Sequence, residues 1–187
     1  FLYEFMSNGN IYDYLQSRPI DTAFSFMAMN RIFQGICYLQ DNFLICRDIK
    51  PLNILIDHDD IPYISDFDTI KKIGKENDIM TQNIGAVTYA SPEQIIGGEI
   101  SLPTDIYSFG QLIYFLFEHK SMFETRTIET ILQTIKNCVF PKIKDATNSI
   151  QFLFEKCIEF DPVKRLSKNE IQKIIFTEMK LENYLNH

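Results

Sequence analysis

The sequence predicts a mainly α-helical domain with one small β-hairpin. Three observations lead there. Phe24, Met27, Ala28, Ile32, Phe33, Ile36 and Leu39 recur at helical spacing. Residues 104–118 are apolar on every helical face apart from Asp105 and Gln111, the pattern of a helix in the middle of a core. Between these stretches, the apolar runs 54–56 and 61–64 flank the turn Asp57-His58-Asp59-Asp60, which signals a hairpin.

The elements follow in order. Residues 1–5 are apolar and aromatic and suit a short strand, which Ser7-Asn8-Gly9-Asn10 breaks as a turn would. A short helix fits residues 11–16 and stops before Arg18-Pro19, because the residue before proline avoids the α region. Asp21 is placed to cap the long helix that runs to about Gln40. Residues 66–93 lack strong periodicity and read as a long loop, of the kind that is usually functional. Ile128, Ile131, Leu132 and Ile135 form one amphipathic stripe; Ile150, Leu153, Phe154, Cys157 and Ile158 form another. Ser167-x-x-Glu170 is a capping box ahead of Ile171, Ile174 and Ile175.

With 187 residues, 45% of them hydrophobic, the chain can bury a core as one domain. Its net charge of −7, with no offsetting basic cluster, argues against a general nucleic-acid or anionic-membrane surface. The apolar run 112–117 falls far short of the ~20 residues that span a bilayer, and no secretory signal opens the chain. It begins with Phe1 rather than Met, and residues 1–6 read like the interior of a fold, so a longer parent polypeptide is expected. Cys37, Cys46, Cys138 and Cys157 show no C-x-x-C spacing and read as reduced thiols of a cytoplasmic protein. His58, His119 and His187 show no ligand spacing and read as solvated loop or terminus residues.

The segment "FLICRDIKPLNILIDHDD", residues 43–60, sets Asp48, Lys50 and Asn53 between apolar runs. Phosphoryl transfer to a hydroxyl needs a carboxylate to accept the proton, a cation beside the phosphoryl group, and oxygen ligands for Mg²⁺. Asp48, Lys50 and Asn53 supply one of each. On this segment alone, a loop of solvated charges is an equal reading. Asp66, after the apolar run 61–64, adds a carboxylate at the far end of a hairpin that starts at Asn53. One Asn and one Asp suit Mg²⁺, which takes few protein oxygens beside phosphates and water.

Taken together, these residues resemble the larger, C-terminal lobe of a eukaryotic-type protein kinase. The catalytic loop His-Arg-Asp-Leu-x-x-x-Asn of that family appears as Cys46-Arg47-Asp48-Ile49-Lys50-Pro51-Leu52-Asn53. Asp-Phe-Gly appears as Asp66-Phe67-Asp68 and Ala-Pro-Glu as Ser91-Pro92-Glu93. The stretch from Asp105 to Gly110 resembles the start of the buried central helix, whose aspartate holds the catalytic-loop backbone. Asp161-Pro-x-x-Arg165 resembles the late motif whose arginine pairs with the Glu of Ala-Pro-Glu, here Glu93.

The resemblance implies a mainly α, kinase-like large lobe divided into a hinge (1–10), a helical lobe (11–176) and a tail (177–187). It implies ATP and Mg²⁺ as cofactors and a protein substrate with a Ser or Thr acceptor, since Lys50 follows the catalytic aspartate by two residues. Asp48, Lys50 and Asn53 become catalytic; Asn53 and Asp66 become metal ligands. Glu4, Met6, Asn10, Lys50, Asn53, Leu55 and Asp66 become nucleotide contacts, with Tyr3 as gatekeeper and Leu55 beneath the adenine. The hinge wording and the Asp105-to-Gly110 stretch lean toward the tyrosine-kinase-like group. Thr81 and Thr88 are candidate phosphorylation sites that could pair with Arg47.

Four departures stand against this pattern. The smaller lobe, with its glycine-rich loop and strand lysine, is missing from the sequence, so the fragment alone is expected to be inactive. Cys46 replaces a histidine. Asp68 replaces a glycine, with an expected positive-φ cost of ~1–2 kcal/mol. Ala86 replaces the threonine that ties the substrate-binding segment to the catalytic residues. The alternative reading is a pseudokinase-like binding or scaffolding module that keeps the fold for its surfaces.

Overall fold

The computed structural model describes residues 5–72, 87–123 and 127–185. Seven helices and two small sheets are found among them: α1 (Ile11–Gln16), α2 (Thr22–Asp41), β1 (Leu44–Ile45), β2 (Ile54–Ile56), β3 (Pro62–Ile64), β4 (Lys71–Lys72), α3 (Pro92–Ile96), α4 (Leu102–Glu118), α5 (Ile128–Lys136), α6 (Asn148–Cys157) and α7 (Lys168–Leu185). The architecture is mainly helical, as the periodicity predicts.

Side-chain caps set where helices begin. Asn10 accepts from the Asp13 N–H ahead of α1, and Asp21 accepts from Ala23 and Phe24 ahead of α2. Thr127 and Thr147 do the same for α5 and α6. Each supplies an acceptor to donors that the first helical turn leaves unpaired. The predicted box at α7 is present, with Ser167 and Glu170 bonded reciprocally.

The core is built around α4. Ile106, Tyr107, Phe109, Leu112, Ile113, Phe115, Leu116 and Phe117 on it are all buried, which explains the missing polar face. Phe109 packs on Phe33 of α2 with ring centroids 4.9 Å apart, and Phe117 meets Phe26 edge-on at 5.4 Å. On the other flank Tyr114 packs on Phe154 of α6 at 5.5 Å. Full burial of side chains this size contributes about 1.5–3 kcal/mol each.

The predicted hairpin forms, with Ile54 opposite Ile64 and Ile56 opposite Pro62. Asp57 closes its turn by accepting the Asp59 and Ile61 N–H groups at 2.9 Å.

Three expectations need correction. Part of the long loop is structured: β4 pairs with β1, Leu44 opposite Lys72, and Ser91 opens α3. Helix α7 runs on through residue 177 to Leu185, so the segment expected as a tail continues the helix, with Glu178 buried and Met179 packed on the core just past residue 177. His119 is half-buried rather than solvated. It takes the left-handed conformation (φ 54°) that ends α4, and its carbonyl accepts from Gln16 at 2.6 Å. Burial lowers its imidazole below the ordinary value, against a bond to the Leu15 backbone.

Candidate active site

Strand β1 delivers the chain into Cys46-Arg47-Asp48, and a 3-10 turn over Pro51–Asn53 carries it on into β2. This tight turn folds Asn53 back onto Asp48. Asp48 Oδ2 accepts from Lys50 Nζ at 2.6 Å and from Asn53 Nδ2 at 2.8 Å, and the same Nδ2 donates to the Asp48 carbonyl at 2.9 Å. Asn53 is buried, while the side chains of Asp48 and Lys50 keep 15% and 19% of their surface exposed. One carboxylate, one ammonium and one amide thus meet at a mouth that solvent reaches. Charge-assisted bonds of this length are the stronger kind.

The two residues before Asp48 are held from several directions. The Asp105 carboxylate accepts the Cys46 and Arg47 N–H groups, both at 2.8 Å. Thr69 donates to the Cys46 carbonyl at 2.8 Å, and Gln94 Nε2 donates to the Arg47 carbonyl at 2.9 Å. The Arg47 guanidinium, through Nε, donates to the Thr69 carbonyl at 2.7 Å. Arg47 sits at φ 68°, a region that costs a non-glycine residue about 1–3 kcal/mol and persists only where the surroundings over-determine it. These bonds supply that over-determination.

Burial of Asp105 at the core pushes its carboxyl up to about 6, against the pull of the two backbone N–H groups. Burial likewise pushes the Cys46 thiol up to about 12, with the Asp105 charge adding to it. Cys46 is therefore a neutral packing residue two positions before Asp48.

Asp66 follows Ser65, whose N–H and hydroxyl both bond the Asn53 carbonyl, at 2.8 and 2.9 Å. The hairpin thereby returns the chain to Asn53, and Asp66 turns the corner in the left-handed conformation, φ 58°. Asp68 lies in the 3-10 turn Phe67–Thr69 and is not among the positive-φ residues. The backbone strain expected at the glycine-replacing position thus falls two residues earlier, on the aspartate itself. Asn53 and Asp66 are hard oxygen donors, and Asn53 uses its amide nitrogen on Asp48, which leaves its amide oxygen to a cation. Among the described residues no group of three His, Cys, Asp or Glu side chains is placed to hold a metal. A cation here would complete its shell with phosphate and water, as Mg²⁺ does.

Of the residues assigned to the nucleotide, Glu4 lies outside the described residues, as do Tyr3, Thr81 and Ala86. The Met6 carbonyl closes a turn with the Gly9 N–H at 3.2 Å. Segment 8–10 runs beside β2: Asn8 donates to the Ile56 carbonyl, the Ile56 N–H donates to Gly9, and Asn10 bridges Leu55. Both polar ends of Asn10 are engaged by Asp13 in the cap of α1, at 2.9 and 2.8 Å. Thr88 is half-buried.

Behind the site, Arg165 Nη1 and Nη2 bond Glu93 Oε1 and Oε2, each at 2.7 Å. The partnership expected from the late motif is present. Sequence reasoning missed Thr69 and Gln94. Thr69 carried no signal, but Ser91-x-x-Gln94 is a capping-box spacing, and both of its bonds form.

Residues 1–177 match the protein kinase domain family, and the chain belongs to it. It is 42% identical over 121 residues to a G-type lectin S-receptor-like serine/threonine-protein kinase of Arabidopsis thaliana, covering 60% of this chain and 14% of that protein. Two probable serine/threonine-protein kinases of Dictyostelium discoideum are 29% and 28% identical over 94% and 91% of this chain, which is 19% and 20% of their lengths. The chain spans a fifth or less of these relatives.

Proposed function

We propose that this chain is the large lobe of an ATP- and Mg²⁺-dependent serine/threonine protein kinase that acts in the cytoplasm on protein Ser and Thr hydroxyls. The observation that carries the reading is the shared oxygen of Asp48, bonded by both Lys50 and Asn53. The names of the relatives support it.

In this reading the acceptor hydroxyl donates to Asp48, which orients the oxygen toward the γ-phosphorus and takes its proton. The new bond joins the acceptor oxygen to phosphorus, the bond from phosphorus to the β–γ bridging oxygen breaks, and ADP leaves. Lys50 exchanges its partner from Asp48 to the transferring phosphoryl group, placing positive charge where negative charge accumulates. Asn53 holds Asp48 in place through its amide nitrogen and offers its oxygen, with Asp66, to Mg²⁺. Mg²⁺, when bound, neutralises phosphate charge. Segment 6–10 and Leu55 form the wall against which adenine would rest. The cytoplasmic assignment rests on the sequence, whose four cysteines show no C-x-x-C spacing.

The test is Asp48→Ala in the longest native polypeptide that contains residues 1–187, assayed for phosphate transfer to protein. Turnover should fall ~10²–10⁴-fold, and a change below threefold rules the assignment out. Residues 1–187 alone should transfer no detectable phosphate, because the glycine-rich loop and strand lysine that grip the nucleotide in this family are not in them. Transfer by the purified fragment would overturn that part.

A further inference from the structure

Gln94 lies on α3, outside the groups placed in phosphoryl transfer, yet it is buried and bonded at both ends of its amide. Oε1 accepts the Ser91 N–H at 2.9 Å, and Nε2 donates to the Arg47 carbonyl at 2.9 Å. The first bond is part of the α3 capping box. The second reaches back to the peptide that leads into Asp48. We propose that Gln94 is a positioning residue for phosphoryl transfer, setting the plane of the Arg47–Asp48 peptide so that the Asp48 carboxylate meets the acceptor hydroxyl. The assignment rests on the kinase reading of Asp48.

Asp105 fixes the N–H groups of Cys46 and Arg47, and Thr69 fixes the Cys46 carbonyl. None of these bonds touches the peptide between Arg47 and Asp48. Its orientation depends on rotation after the Arg47 Cα, at a residue already held at φ 68°. The Gln94 bond to the Arg47 carbonyl sets that rotation from upstream, while Asn53 holds the Asp48 carbonyl from downstream. Asp48 is thus pinned on both sides by side-chain amides. Because Gln94 stands next to Glu93, which is anchored to Arg165, the same bond couples the catalytic aspartate to the segment that ends at Ser91-Pro92-Glu93.

Two variants separate this role from helix capping. Gln94→Glu keeps an oxygen for the Ser91 N–H and removes the donor to the Arg47 carbonyl; Gln94→Met keeps the length and removes both bonds. In the native polypeptide that contains residues 1–187, both should lower kcat by about ten- to a hundredfold, with KM for ATP within about twofold of wild type. In residues 1–187 alone, deuterium exchange across 46–50 should quicken in both variants under conditions where each remains folded. A Gln94→Glu protein with wild-type kcat and wild-type exchange overturns the assignment, because the bond to Arg47 then positions nothing. Absence of transfer in the wild-type polypeptide overturns the kinase reading and this assignment with it, whereas an active wild type with an unaffected Gln94→Glu overturns the assignment alone.

Discussion

Arg165 and Glu93, 72 positions apart in the chain, meet in a two-pronged ion pair with both N···O distances at 2.7 Å and the arginine side chain fully buried. The pair is also saturated with hydrogen bonds. Thr104 donates to Glu93 Oε1 at 2.9 Å, and Arg165 donates to the carbonyls of Pro103 and Glu159 at 2.8 and 2.9 Å. A buried ion pair is tolerable when its remaining lone pairs and protons are satisfied in this way, and removing one partner strands the other charge.

Glu93→Ala should therefore cost about 3–5 kcal/mol of unfolding free energy, measured by urea denaturation, whereas replacing both residues by apolar ones of similar volume should cost much less. The pH dependence has a definite sign. Burial pushes the Glu93 carboxyl up, but the bonds and charge of Arg165 outweigh it and hold the group below its ordinary value. A depressed folded value means that the contribution is complete above the unfolded value of about 4.3 and is lost as pH falls through the folded value. The stability gap between wild type and Glu93→Gln should narrow on acidification from pH 6 toward pH 3. A gap that stays constant would mean that the pair contributes no proton linkage.

Asp105 has the opposite slope. Its folded value is raised to about 6 by burial, so its linked contribution is complete below the unfolded value of about 3.9 and is lost as pH rises through 6. Comparing wild type with Asp105→Asn isolates this group, since Glu93 is common to both. The advantage of wild type should be larger at pH 4 than at pH 7. An advantage that grows with pH would show that the two N–H donors from Cys46 and Arg47, rather than burial, dominate the carboxyl.

Much of this was legible in the sequence where the signal is local. The bounds of α1 followed from the turn 7–10 and Pro19, the start of α2 from Asp21, and α4 from an apolar surface on all sides. Asp48, Lys50 and Asn53 lie within six residues, so one tight turn brings them together. What stayed hidden depends on long-range pairing. Strands β1 and β4 are two residues each, and Lys71-Lys72 has no strand periodicity to read. Gln94 and Arg47 meet only because α3 docks on the catalytic loop, and no spacing rule reports that. Asp66 and Asp68 show a different limit: the substitution of glycine was visible, but the residue in the left-handed conformation is Asp66.

If Asp68 were held at positive φ, Asp68→Gly would relieve strain and stabilise the fold. Asp68 instead lies exposed in a 3-10 turn with ordinary φ, so glycine only adds freedom to the unfolded chain. The variant should lose up to about 1 kcal/mol and melt no higher than wild type in a thermal scan. A clear rise in Tm would place the strain at residue 68 after all.

Gly110 of the central helix faces the C-terminal end of α6. A Cβ built there would lie 2.7 Å from both Cys157 Cβ and Ile158 Cγ2, distances that real methyl groups do not adopt. Cys157 and Ile158 are themselves fully buried, so neither can swing aside into solvent, and the clash has to be met by separating the helices. Overpacking of this kind costs about 1–3 kcal/mol, more than the ~1 kcal/mol that alanine gains over glycine in a helix interior. Gly110→Ala should therefore destabilise the domain in urea despite its better helix propensity. Paired with Cys157→Ala, which leaves the Cβ contact in place, it should remain destabilising; paired with Ile158→Val or Ile158→Ala, the penalty should shrink only in the second, since valine keeps the Cγ2 methyl that the new Cβ would strike. A Gly110→Ala protein as stable as wild type would show that the spacing of α4 and α6 is set by their other side chains and not by the glycine.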